Sequence, residues 1–251
     1  MSAIASLQFV CGLGEEPRLR EVLLRRKDRK LLSRPAKLAL PAAARAVSGY
    51  PDDLLELGLF VGVRREPPDD GEADAAIAAS HRDGELDVGL LAAAGRDLYP
   101  PLLPLKTLPN MVLAHISINL GIMGPADTCA GGPAAGVSAL RLAMQAVDEG
   151  RAPAALVVVA DSHVDGSSRR DLLRRGITAR PGEAAVAVLV VPGSGLVDEG
   201  GGRGGVVRPF LHHGEVGWCG TADPLVALAR GQIGIEGVDE GGAWTRVRVV
   251  P

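Results

Sequence analysis

The residues whose types and spacing best suit chemistry lie in one run, Gly124-Pro125-Ala126-Asp127-Thr128-Cys129-Ala130-Gly131-Gly132-Pro133. A helix-like stretch follows over residues 134–150, and then an apolar run over residues 154–160 bounded by Pro153 and Asp161. That run is short and β-branched, so it reads as a buried strand. A glycine loop opening a helix ahead of a core strand suits acyl transfer. The helix N-terminus offers unpaired N–H groups and positive potential to a thiolate or an oxyanion.

The chain must hold this loop on a layered scaffold. Apolar strands and amphipathic helices alternate, the pattern of an α/β domain. Strands are expected over residues 4–10, 57–63, 156–159 and 185–191, and helices over residues 41–48, 73–82, 110–120 and 133–149. The first helix is expected to open at Pro41, a favoured first-turn residue, and to continue through Ala42, Ala43, Ala44 and Ala46. Residues 193–205 are glycine-rich and carry Asp198 and Glu199, which reads as a linker or long loop. Beyond them, residues 206–210, 223–230 and 244–250 have strand, helix and strand character.

The loop and its surroundings resemble the β-ketoacyl synthases of the thiolase-like superfamily. There a Gly-Pro pair leads into Asp-Thr-Ala-Cys-Ser-Ser, a helix ending at glycine and a hydrophobic strand. The similarity starts at Leu108-Pro109-Asn110-Met111, which looks like the family's Met-Pro-Asn segment. It ends at Gly182-Glu183-Ala184-Ala185, which looks like Gly-Glu-Gly-Ala, and covers most of residues 1–192. Counting without gaps, forward from Gly124-Pro125 or backward from Gly150, puts the family's catalytic cysteine on Pro133. Proline has no nucleophile and no N–H, yet it suits the first turn of a helix, so the fold survives where the chemistry does not. A second alignment matches Asp127-Thr128-Cys129 to Asp-Thr-Ala-Cys and makes Cys129 the nucleophile. It shifts several residues within an elbow whose geometry depends on spacing. The plain alternative for Cys129 is a small apolar side chain filling the core.

The resemblance implies a thiolase-like layered α/β/α fold. One complete half would span residues 1–192, with a Gly-rich loop or linker at 193–205 and a reduced remnant of the second half at 206–251 packing on the same core. In complete ketosynthases a strand ending in Lys-Ser-Asn-Ile-Gly-His precedes a helix. Here Val207-Arg208-Pro209-Phe210-Leu211-His212-His213 precedes residues 223–231, which puts His212 or His213 near a catalytic histidine of the family. Adjacent residues on an extended segment point apart, so at most one can face a site. The family's other histidine belongs to a loop that this chain lacks. Glu183 corresponds to a buried carboxylate that orders a loop at the active-site floor, its plainer reading being a turn residue after Pro181-Gly182. Self-association would use residues 154–160 with residues 111–120 nearby.

Composition narrows the classes. The 251 residues are 47% hydrophobic and 23% charged, with net charge -3 and 3% aromatic residues, which argues against nucleic acid. No apolar run approaches the roughly 20 residues of a membrane span, and no targeting segment is evident, so a cytoplasmic location is expected. Cys11, Cys129 and Cys219 are odd in number and far apart, which indicates neither a disulfide framework nor a zinc site. No cofactor and no metal are expected. His163 follows a core strand, where local hydrogen bonding or solvation is usual. His115 reads as a helix residue and His81 as a surface one.

Arg18, Arg20, Arg25, Arg26, Lys27, Arg29 and Lys30 form a basic cluster in a slightly acidic chain. Family members dock acidic acyl carrier proteins, so Arg25, Arg26 and Lys27 are candidates for steering one. The commoner reading of such a run is a solvated helix face. Two functions follow from the resemblance. One is a non-condensing ketosynthase-like subunit of fatty-acid or polyketide-type metabolism, dimeric with itself or with a full-length ketosynthase as chain-length factors are. The other is an acyltransferase that uses Cys129.

Overall fold

Short runs of β-branched and small apolar residues become the strands of one sheet, and alanine-rich amphipathic segments become the helices that cover it. In the computed structural model, residues 2–11, 17–64, 71–174, 180–193, 195–203, 219–231, 234–238 and 243–249 are described. The main elements are β1 (Ser2–Cys11), α1 (Arg34–Ala46), β2 (Gly58–Val63), α2 (Met111–Leu120), β3 (Ala126–Ala130), α3 (Pro133–Asp148) and β4 (Ala155–Ser162). They continue with α4 (Gly166–Arg174), β5 (Glu183–Pro192), β6 (Leu196–Arg203), α5 (Asp223–Ala229), β7 (Gly234–Val238) and β8 (Ala243–Val249). A five-stranded sheet has the order β1-β5-β4-β2-β3. Its strands β4, β2 and β3 are parallel, while β5 runs antiparallel to both β4 and β1.

Strand alternation divides the core between two faces. Phe60, Val157, Val159, Val186 and Val188 pack with Val137, Leu140 and Met144 of α3 and with Leu225 and Val226 of α5. Leu59, Val61, Leu156, Val158 and Ala187 pack with Leu38, Leu40 and Ala43 of α1 and with Val112 and Ile116 of α2. The result is an α/β/α sandwich whose central strand, β4, has all eight residues buried.

Several expectations change. Helix α1 starts at Arg34, because the Ser33 hydroxyl caps Ala36 N–H at 3.3 Å and Pro35 fits the first turn; Pro41 lies buried inside the helix instead of opening it. The helix expected over residues 73–82 stops at Ala79. His81–Arg82 then pair with Glu85–Leu86 around Asp83 and Gly84, whose φ angles of 54° and 85° make the two-residue Asp-Gly turn. Within the segment expected as a loop, Leu196–Arg203 is a strand. It pairs with β8, so glycines 200–202 lie opposite Arg246, Thr245 and Trp244. The edge segment β3, not foreseen as a strand, gains its conformation from pairing with β2. Residues 206–210, expected as a strand, lie outside the described residues.

Self-association through residues 154–160 is also corrected. Strand β4 is hydrogen-bonded to β5 on one side and β2 on the other, leaving no edge for a second chain. The basic cluster lies on a turn and an exposed 3₁₀ helix, Arg26–Leu31, not on an α-helix, with Arg25, Arg26 and Lys27 exposed and Leu24 N–H bonded to Asn119 of α2 at 2.9 Å.

Candidate active site

The elbow forms where β3 leaves the sheet. Gly131 N–H still bonds Val63 C=O at 2.9 Å, Gly132 is the N-cap of α3, and Pro133 occupies its first turn. Close packing holds this helix on the sheet. A Cβ on Gly62 would lie 2.8 Å from the Gly136 Cα, and one on Gly136 would lie 2.5 Å from the Thr221 carbonyl. Thr221 also donates its hydroxyl to Gly131 C=O at 3.0 Å, so a segment far along the chain braces the elbow from behind. The place where a helix dipole would support a thiolate is therefore built, and the side chain that occupies it is a pyrrolidine ring.

Cys129 lies four positions earlier, on the strand itself. It pairs with Gly62 and packs half-buried against the α3 side of the core. Burial pushes its thiol up to about 11, and Asp127 adds to the shift. Such a group stays protonated near neutral pH, and no described base is hydrogen-bonded to it.

A dense polar cluster sits at the same end of the sheet. Ser162, at the end of β4, pairs with Glu183, at the start of β5. The Glu183 carboxylate is fully buried and accepts bonds from Arg34 Nε at 2.8 Å, Arg34 Nη2 at 2.6 Å and the Ser162 hydroxyl at 2.9 Å. It thus clamps the N-terminus of α1 onto the sheet. Asp161 accepts Thr221 N–H at 3.0 Å and lies 3.1 Å from His163 Nε2. Burial alone would raise the Asp161 carboxyl, but His163, Arg64 and the Thr221 N–H outweigh it and hold the group below the usual range. His163 is buried, and its main-chain N–H bonds Gly182 C=O at 2.9 Å. Nearby, the Asp223 carboxylate accepts Cys219 N–H at 2.9 Å through Oδ1, while its buried Oδ2 has no hydrogen-bond partner. Burial pushes this carboxyl up to about 8, against the pull of the Cys219 and Gly220 N–H groups and with Asp161 repelling it.

The sequence points to Glu183, His163, Cys129 and Pro133 but not to Arg34 or Thr221, whose partners are distant in the chain, nor to Asp223, whose burial is set by packing. An acidic residue closing a β-branched run was the one local signal, at Asp161. His115 is buried in α2, where burial lowers its pKa against the pull of the Leu105 and Leu31 main-chain carbonyls, and His81 is exposed with Nδ1 2.7 Å from Ile77 C=O. His212 and His213 lie outside the described residues. Among the described residues no group of His, Cys, Asp and Glu could hold a metal ion, and no helix is long and apolar enough to cross a membrane.

No curated protein matches the chain by sequence. Among solved structures it is similar to a β-ketoacyl synthase from Burkholderia phymatum STM815, with TM-score 0.66 and 11% identity over 100% of this chain and 99% of that one. It is also similar to the ishigamide ketosynthase/chain length factor, with TM-score 0.62 and 16% identity over 100% of this chain and 99% of that one. A third likeness is to a type II polyketide synthase acyl-carrier protein in complex with its ketosynthase bound to the hexaketide, with TM-score 0.62 and 13% identity over 78% of this chain and 68% of that one. These likenesses establish the thiolase-like α/β/α fold. The sequence profile described as "Beta-ketoacyl synthase, N-terminal domain" matches residues 24–188. The chain therefore belongs to the β-ketoacyl synthase family, through the N-terminal domain that carries the elbow and the polar cluster behind it.

Proposed function

We propose that this protein is a non-condensing, ketosynthase-like subunit of fatty-acid or polyketide-type metabolism, acting beside a full-length ketosynthase as a chain-length factor does. The observation that carries the reading is Pro133 in the first turn of α3. The elbow keeps its strand, its glycines, its helix and its brace, and only the nucleophile is missing. The likeness to a structure named as a ketosynthase/chain length factor supports the same reading. The raised thiol of Cys129 disfavours the acyltransferase alternative.

In this reading residues 1–192 are the ketosynthase N-terminal-like unit, residues 193–205 connect it, and residues 206–251 are the reduced remnant. Leu225, Val226 and Val247 pack in the same core cluster as α3, in keeping with that division. The subunit works in the cytoplasm as a dimer with its ketosynthase. Arg25, Arg26 and Lys27 steer an acidic carrier protein by long-range attraction.

Three measurements test the proposal. Incubation with an acyl-CoA, followed by intact mass, should show no acyl adduct; stoichiometric labelling lost in Cys129→Ala would establish the acyltransferase instead. Co-expression with a ketosynthase encoded beside it should give a stable complex with condensing activity that neither chain has alone. Carrier-protein binding should weaken with added salt, and binding indifferent to salt removes the role of the basic cluster.

A further inference from the structure

Four large apolar side chains stand exposed at the end of the sheet away from the elbow: Leu24 is 69% exposed, Leu55 49%, Ile118 62% and Met123 78%. Leu55 and Met123 precede the parallel strands β2 and β3, whereas the elbow follows β3. One turn ties these residues together. Gly121, with φ of 72°, ends α2, and Ser117 holds the chain beyond it by accepting Ile122 N–H at 3.1 Å and donating its hydroxyl to Ile122 C=O at 2.7 Å. Met123 N–H then bonds Leu55 C=O at 3.3 Å, and a Cβ on Gly124 would lie 2.4 Å from the Leu57 carbonyl oxygen. On the other side, the Asn119 amide accepts Leu24 N–H at 2.9 Å and donates to His115 C=O at 2.8 Å. The backbone under the apolar centre is thus fixed in advance, so docking on it costs little ordering.

Charge divides around this centre. Arg25, Arg26 and Lys27 are exposed beside Leu24, while Asp52, Asp53 and Glu56 are exposed beside Leu55. The difference extends past these residues: residues 21–30 carry five cations against Glu21 and Asp28, and residues 51–57 carry three acids and no cation. Asp53 Oδ1 accepts Leu55 N–H at 2.9 Å, which fixes one acid at the rim, and Asp52 and Glu56 both face Tyr50. A face that is apolar at its centre and opposite in charge on its two sides complements itself. A twofold axis lying in the face, across the line from basic to acidic side, sets centre on centre and each basic side on the acidic side of the other copy. An axis along that line sets like charges together, so charge fixes the orientation.

We propose that this face is an isologous interface between two copies of the chain, with Leu24, Leu55, Ile118 and Met123 at its centre and the basic side of each copy against the acidic side of the other. A contiguous apolar patch rimmed by charge is what such an interface requires. The interface does not rest on the function proposed above. An acidic carrier protein competes with it for Arg25, Arg26 and Lys27.

The test is sedimentation equilibrium of the chain alone, in which the wild type should show a monomer–dimer equilibrium. Ile118→Asp and, separately, Leu24→Ser should each weaken self-association about tenfold. Arg25→Glu with Arg26→Glu and Lys27→Glu makes both sides acidic, and Asp52→Lys with Glu56→Lys makes both sides basic. Each set alone should weaken self-association about tenfold, and their equimolar mixture should recover the wild-type constant, because every charged side then meets its opposite. Adding Ile118→Asp to both sets should abolish the recovery, which general attraction between oppositely charged chains would survive. A wild type that is monomeric at every concentration overturns the proposal. So does a dimer indifferent to Ile118→Asp and Leu24→Ser, a mixture no tighter than its components, or a recovery that persists with Ile118→Asp. Circular dichroism of each variant confirms folding. No ketosynthase or carrier protein enters the measurement, so its failure leaves the proposed function standing, and failure of the ketosynthase complex leaves this interface standing.

Discussion

The elbow and the polar cluster behind it share one end of the sheet and differ in what they hold. At the elbow, Gly131, Gly132 and Pro133 provide backbone shape with no reactive side chain, and the nearest thiol, Cys129, is turned into the core. A few residues away, Arg34, Asp161, Ser162, His163, Glu183 and Thr221 form a buried, hydrogen-bonded network that spans the chain from α1 to the segment ahead of α5. The contrast separates two roles that coincide in a working acyl-transfer site. A buried carboxylate without its partner costs several kcal/mol, so the clamp is retained for stability whether or not chemistry happens in front of it. A proline in the first turn of α3 costs the fold nothing.

The largest effect should come from the clamp. Glu183→Ala leaves Arg34 facing a vacated pocket and should lower unfolding free energy by about 3–5 kcal/mol in urea titration. A loss below about 1 kcal/mol would mean that the ion pair is incidental, and the contrast would fail. Gly220→Ala comes next. Gly220 has φ of 53°, and a Cβ there would lie 2.4 Å from His163 Nε2 and 2.5 Å from Asp161 Oδ2. The substitution should cost about 1–3 kcal/mol, with the melting temperature as the readout.

Asp223 sharpens the comparison through pH. Its carboxyl is raised from 3.8 to about 8, so across that window the folded state holds a proton that the unfolded state has lost. Its contribution is therefore full below the unfolded value, falls as pH rises through the window at up to about 1.4 kcal/mol per unit, and is flat above it. Asp223→Asn should remove this slope, and a variant whose stability–pH curve parallels that of the wild type would refute the assignment. The smallest effect is kinetic and concerns the elbow. In a Cys129→Ala background, Pro133→Cys should react with iodoacetamide about tenfold faster than Cys129 does in the wild type, because the new thiol would sit at a helix N-terminus. Equal rates would show that the elbow no longer supports a thiolate.

Much of this architecture is legible in the sequence. Strands β2, β4 and β5 are legible as apolar runs because burial on both sheet faces demands such residues, β1 as an apolar stretch, and α2 and α3 as long periodic segments. Strand β3 was missed because Ala126–Ala130 is an exposed edge with no β-branched run, and β6 because its glycines resemble a linker. The start of α1 is hidden in the sequence because Pro41 and its alanines are a louder local signal than the Ser33 cap.

The site divides along the same line. Sequence by itself determined that a glycine elbow opens α3, that Pro133 fits the first turn of that helix, and that residues 24–188 follow the family's pattern, since spacing and turn chemistry are local properties of the chain. Tertiary structure alone decided that Arg34 meets Glu183 across 149 residues and that Thr221 braces both Asp161 and the elbow. It also decided that Cys129 is a half-buried thiol packed against the core and that Asp127 Oδ1 takes the Thr128 N–H. Burial, pairing and charge balance depend on which distant segments come together, and no short stretch of sequence carries that information.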